Sequence, residues 1–221
     1  MASLSFSLGL NMYAIGPIAP LITAEYDVSN STAGLLTSIV FFLHIIFAIP
    51  ASLLVGRVPL KTIISLAGLT GSCSLLIFIT PDSFAVLLIL RALQGLSFIL
   101  LFPALGPLFM QWFRPKELAL VNGIFLISFS LGITTSNFVV APLSEIIGWQ
   151  LTLSIFGGAA LASVTGWILF GKTSRIPGSN EMGSLIQLIS KAIRNRETFL
   201  LALGDAGPFT LLTVCFAWLP T

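Results

Sequence analysis

Nine of the ten Lys and Arg residues in this chain fall in alternate gaps between long apolar stretches. The stretches run roughly over 4–24, 33–55, 62–80, 84–113, 118–141, 150–171 and 198–219. The second gap holds Arg57 and Lys61, the fourth holds Arg114 and Lys116, and the sixth holds Lys172, Arg175, Lys191, Arg194 and Arg196. The first, third and fifth gaps hold no cation, only Glu25, Asp27, Asp82 and Glu145. Cations favour cytoplasmic loops, so the pattern predicts a single orientation: N-terminus inside, seven spans, residue 221 outside. The tenth cation, Arg91, lies within the fourth stretch, where a charge is a functional candidate by default.

The stretches are long enough to cross a ~30 Å hydrocarbon core as helices rising 1.5 Å per residue. Charged residues make up 8% of the chain and hydrophobic ones 56%, more apolar surface than a water-soluble fold of this size hides. The apolar runs are continuous and do not alternate, which argues for helices over a membrane barrel. An all-α, polytopic integral membrane protein is therefore expected, with the plasma (inner) membrane as its location. No cation precedes the first span, so no signal peptide is expected. Cys73 and Cys215 sit mid-span without a second thiol or His at ligand spacing, and read as packing residues.

The expected organisation is three-part: a six-span unit over 1–171, a cytoplasmic connector over 172–197, and one further span over 198–221. Within the connector, Leu185, Leu188, Ile189, Ala192 and Ile193 recur at helical spacing, with Lys191 and Arg194 on the other face. That pattern predicts a basic amphipathic helix over 184–196, lying on the inner leaflet.

The first six stretches echo internally. Three Gly-Pro dipeptides, Gly16-Pro17, Gly106-Pro107 and Gly207-Pro208, stand in spans one, four and seven. The first lies in Ala-Ile-Gly-Pro-Ile and the second in Ala-Leu-Gly-Pro-Leu, 90 residues on. The ends of spans two and five echo as Pro50…Gly56-Arg57 and Pro142…Gly148-Trp149. Spans 1–3 and 4–6 thus read as two copies of one unit, and three spans per copy make the copies inverted. Gly-Pro is expected to break each helix and free carbonyls, which is tolerable against protein or a water-filled cavity. Inverted repeats around broken helices are the pattern of secondary transporters.

On these residues the chain resembles the major facilitator superfamily. The segment 50–61 is similar to that family's cytoplasmic signature G-x-L-A-D-R-x-G-R-R/K, with Arg57 and Lys61 at basic positions and Ser52, Gly56 and Pro59 replacing its Gly, Asp and second Gly. Span four carries Arg91-Ala-Leu-Gln94-Gly95, like the family's R-x-x-Q-G. Span five ends at Pro142 and Gly148-Trp149-Gln150, where the family often has Gly-Trp-Arg. The resemblance implies a carrier with two six-span halves around one cavity, of which this sequence holds the first half and one span of the second. It also implies a cytoplasmic gate at Arg57 and Lys61, held without the family's Asp because Gly56 stands there.

A solute carrier needs polar residues near the midplane. Arg91, Gln94 and the buried carboxylate Asp205 are the main candidates for solute or coupling contacts, with Asn11, Tyr13 and the lone histidine, His44, behind them. Arg91 keeps its proton and must find carbonyls, a distant carboxylate or an anionic ligand. Each candidate also has a packing alternative: Arg91 can simply tie span four to span one, and His44 can be a satisfied core residue. Gly166-Trp-Ile-Leu-Phe-Gly171-Lys172-Thr173 fits a phosphate-loop pattern, but its amides are already bonded inside a membrane helix. No metal cluster, nucleophile triad or haem motif stands in the sequence, so no enzyme, cofactor, metal or nucleic-acid partner is expected. The expected function is secondary active transport of a small, anionic solute, with a coupling proton or cation. The alternative is a non-transporting membrane scaffold built on a degenerate carrier half.

Overall fold

The computed structural model describes residues 1–79, 83–173, 194–197, 200 and 204. Six of its helical stretches are long and apolar enough to cross a membrane: Ala2–Tyr26, Asn30–Val55, Leu60–Ile79, Phe84–Trp112, Pro115–Ile147 and Trp149–Phe170. These are spans 1 to 6 below. The all-α, polytopic expectation holds. The connector helix expected over 184–196 is outside the described residues for 184–193, and so is the seventh span apart from Leu200 and Gly204, with Asp205, Gly207, Pro208 and Cys215 outside them.

Turns are set by local chemistry. Span 1 closes on Asp27, which adopts the left-handed conformation that Asp tolerates better than most residues. Ser29 then caps span 2, its hydroxyl accepting from the Thr32 N–H at 3.1 Å. Spans 5 and 6 are joined through Gly148 alone, at φ 86°, a conformation open to glycine and costly for other residues. At the opposite end, Glu117 reaches back to accept from the Arg114 N–H at 2.9 Å before span 5.

Span 1 packs on span 5, span 2 on span 4, and span 3 on span 6. Exchanging 1 with 4, 2 with 5 and 3 with 6 maps these three pairs onto themselves, as the two-copy reading requires. At the first crossing, Gly9 and Gly132 let two backbones meet. A Cβ on Gly132 would strike the Phe6 carbonyl, and one on Gly9 the Phe129 carbonyl.

Two apolar clusters fill the bundle, one at each end. Leu60, Leu108, Phe109, Phe125 and Val164 belong to one. Ile18, Ile22, Leu36, Leu87, Val140 and Trp149 belong to the other. Between them the buried residues include polar ones: Ser7, Asn11, Ser74, Arg91 and Gln94.

Besides the 3₁₀ turn Pro115–Glu117 that opens span 5, two spans depart from regular α-helix. Span 1 is helical over Ala2–Met12, turns through Gly16–Ile18 as a 3₁₀ piece, and resumes over Ala19–Tyr26. Span 3 is α over Leu60–Gly71 and 3₁₀ over Ser72–Ile79. A 3₁₀ rise of about 2.0 Å per residue lengthens that half by about 4 Å over an α-helix. Ser154 of span 6 steadies it, accepting from the Phe78 N–H at 3.1 Å. The Gly106-Pro107 expectation is corrected, because span 4 runs unbroken over Phe84–Trp112 with Pro103 and Pro107 inside it. A proline removes one N–H without opening the helix. In span 1 a side chain competes for the carbonyls as well, as described next.

Candidate functional site

Arg91 of span 4 is 2% exposed, and its guanidinium is spent on neutral oxygens. Nη1 donates to the Asn11 carbonyl at 2.9 Å and to Gln94 Oε1 at 2.7 Å. Nη2 donates to the Met12 carbonyl at 2.9 Å, and Nε to the Leu36 carbonyl of span 2 at 3.3 Å. In a continuous α-helix, the carbonyls of Asn11 and Met12 would accept from the N–H groups four residues on. Arg91 takes those carbonyls, and Pro17 and Pro20 each lack an N–H. The helix therefore ends at Met12, one turn ahead of Gly16-Pro17, and among the described residues the cation is met by backbone dipoles.

Asn11 is the second centre of this cluster. Its Oδ1 accepts from Ser74 Oγ of span 3 at 2.7 Å and from Gln94 Nε2 of span 4 at 3.2 Å. Its Nδ2 donates to the Ser7 carbonyl at 2.8 Å and to the Phe156 carbonyl of span 6 at 3.0 Å. All four hydrogen-bonding positions of the amide are filled, and one side chain joins spans 1, 3, 4 and 6. Ser7 adds a bond to Ser163 of span 6 at 2.9 Å.

Arg91 and Gln94 are thus brought together as their i, i+3 spacing suggested, Asn11, a separate candidate in the sequence, meets both, and Ser74 joins them unforeseen. Its only signal was a hydroxyl in an apolar run, common enough in membrane helices to pass as packing. A cavity of about 10 Å³ adjoins the cluster, lined by Leu8, Val40, Ser97 and Phe98 among others. It has room for about one water, far below a solute pocket of several hundred Å³.

The remaining candidates take other positions. Tyr13 is buried in the break, one residue past the Met12 carbonyl. His44 is exposed on span 2. Arg57, exposed, is the last residue of the helix Asn30–Arg57, and Lys61, half-buried, is the second of the helix Leu60–Gly71. Gly106 is exposed, with nothing within 4 Å of where a Cβ would stand. Among the described residues no group of His, Cys, Asp and Glu could hold a metal ion.

Comparison with known proteins bears on the whole chain. A family model described as Major Facilitator Superfamily matches residues 1–221. An uncharacterized protein of Campylobacter jejuni, Cj0987c, is 28% identical over 211 residues, covering 94% of this chain and 64% of its own length. The uncharacterized MFS-type transporter YybF of Bacillus subtilis is 25% identical over 205 residues, 90% of this chain and 50% of its own. Probable anion transporter 2, chloroplastic, of Oryza sativa is 26% identical over 170 residues, 75% of this chain and 31% of its own. The chain thus spans between about a third and two thirds of the length of these relatives. Six apolar spans, a broken first helix bound by a fourth-span arginine, and a family match from end to end agree: this is an integral membrane protein, and it belongs to the major facilitator superfamily.

Proposed function

We propose that the chain is the first half, connector and seventh span of a secondary active carrier that moves a small, anionic solute by alternating access. One observation carries the reading: the span pairs 1–5, 2–4 and 3–6 exchange into one another, as expected of two inverted units that rock as one body. In this reading 1–171 is the rocking half, 172–197 the cytoplasmic connector, and 198–221 the start of a second half that completes the cavity. The protein is a carrier and not an enzyme. Family membership and the relative named as an MFS-type transporter support solute transport. The name of the rice relative, an anion transporter, supports the anionic class.

Within the carrier, the Arg91–Asn11–Gln94 cluster makes spans 1, 3, 4 and 6 one rigid unit, and Asp205 is the candidate carboxylate for a coupling proton or cation. The test is uptake and counterflow of labelled inorganic phosphate and sulfate in proteoliposomes of the full-length protein, with a neutral sugar as comparison. Saturable anion counterflow is the expected result. Sugar counterflow without anion counterflow would overturn the anionic class. Absence of counterflow with every solute tried, from correctly folded protein, would favour the scaffold alternative.

A further inference from the structure

We infer that Glu25 is a positioning residue, and that with Trp149 and Gln150 it forms a latch setting the angle of span 1 across its break. The two halves of span 1 are fastened separately. Ala2–Met12 is pinned by the Gly9–Gly132 crossing, by Ser5 Oγ donating to the Phe125 carbonyl at 2.8 Å, and by Asn11. None of these contacts reaches past the break at Tyr13–Ile18. The second segment, Ala19–Tyr26, buries Ile22 and ends in a different set of contacts. The Glu25 carboxylate accepts from the indole Nε1–H of Trp149 and, at 2.7 Å, from the side-chain amide of Gln150. Next to it, the Tyr26 ring meets Phe84 and Trp149 edge-on, with centroids 5.9 and 6.2 Å away.

The latch is built by sequence on both sides. Gly148 at φ 86° turns span 5 into span 6 in a single residue and brings Trp149, 4% exposed, back over the bundle. Two donors adjacent in sequence then grip one carboxylate from another span. Trp149 and Gln150 are both neutral donors, so the latch is charge-assisted on the Glu25 side alone, and Glu25 is itself exposed to solvent. A grip on an exposed carboxylate by two neutral donors, on a segment that follows a helix break, is releasable. An arginine at position 150 would convert it into a bidentate ion pair.

The test is hydrogen exchange of the 221-residue chain in lipid nanodiscs, comparing the peptide over 19–27 with that over 2–12. Trp149→Phe keeps the ring and removes the donor. It is expected to speed exchange in 19–27 by about three- to tenfold while 2–12 stays unchanged. Glu25→Ala is expected to do the same. Adding Gln150→Arg to Trp149→Phe is expected to return exchange to the starting rate, a rescue that a purely structural role of Trp149 would not give. Unchanged exchange over 19–27 in both single variants overturns the inference. So does faster exchange that spreads equally to 2–12, since the three residues would then merely support the whole bundle.

Discussion

The Nη2 of Arg91 lies 2.9 Å from the carbonyl of Met12, the last residue of the first α-helix. Helix end and buried cation solve each other's problem. The carbonyls that lose their backbone donors at the break supply partial negative charge, and the guanidinium supplies donors to groups that hydrocarbon would leave unsatisfied. The fork geometry matters, because Nε and the two Nη atoms address spans 1 and 2 and Gln94 in different directions.

Arg91→Lys should therefore fail despite keeping the charge. One ammonium has three donors for these four bonds and can satisfy the Asn11 and Met12 region or the Leu36 carbonyl, not both, so one or two bonds are lost. At ~0.6 kcal/mol for an average hydrogen bond between membrane helices, with ~1.7 as the upper end, the loss is about 1–3 kcal/mol. Thermal unfolding in detergent would read it. Wild-type stability in Arg91→Lys would mean that the charge alone matters and the fork does not.

Asn11→Leu is expected to cost as much or more. Leucine fills a similar volume but leaves the Ser7 and Phe156 carbonyls, Ser74 Oγ and Gln94 Nε2 short of a partner. An unsatisfied buried group costs about 1–3 kcal/mol, although neighbours re-pair in part, so about 2–4 kcal/mol is expected overall. Asn11→Leu should also loosen spans 3 and 6 from span 1, which cross-linking of cysteines placed at Ser7 and Ser163 would detect as lost yield. An unaltered yield would remove Asn11 from its role as the junction.

Much of this was legible in the sequence. The six described spans and the pairing of Arg91 with Gln94 follow from hydropathy and i, i+3 spacing, whereas the pairing of Arg91 with Asn11 does not. The details that failed depend on what lies across a helix interface. Gly16-Pro17 and Gly106-Pro107 read alike, and each has a second proline nearby, Pro20 and Pro103, yet only the first break is realised, because there Arg91 takes the Asn11 and Met12 carbonyls. Span 6 makes its close approach at Gly157, where a Cβ would strike the Leu75 backbone, while Gly166 has nothing within 4 Å of a Cβ position. Glu25 read only as a loop charge, since no local pattern records a partner 124 residues away.

Glycine substitutions separate packing from propensity. Gly132→Ala drives a methyl into the Phe6 carbonyl and should cost about 2 kcal/mol or more, because backbone cannot step aside like a side-chain tip. Gly106→Ala meets open space inside a continuous helix and should be neutral or stabilising by about 0.5–1 kcal/mol. If Gly106→Ala proves the more damaging of the two in thermal unfolding, the unbroken span 4 is the wrong description of that helix.

Sidedness is the last expectation, and two results of different meaning can come from one experiment. Glu25, Tyr26, Phe84 and Trp149 meet at one end of the bundle, so the first, third and fifth gaps share that end. Trp112 donates its indole N–H to the Lys172 carbonyl at 3.1 Å, which puts the fourth and sixth gaps together at the other. The cation bias assigns the second end to the cytoplasm. In a background lacking Cys73 and Cys215, single cysteines at Asn30 and Glu145 should react with a membrane-impermeant maleimide in intact cells. Cysteines at Arg57 and Lys116 should react only after permeabilisation. A complete reversal would invert the orientation and leave the bundle intact. Asn30 and Glu145 labelling from opposite sides would break the bundle itself, because Tyr26 and Trp149 could not then share a ring contact across 6.2 Å.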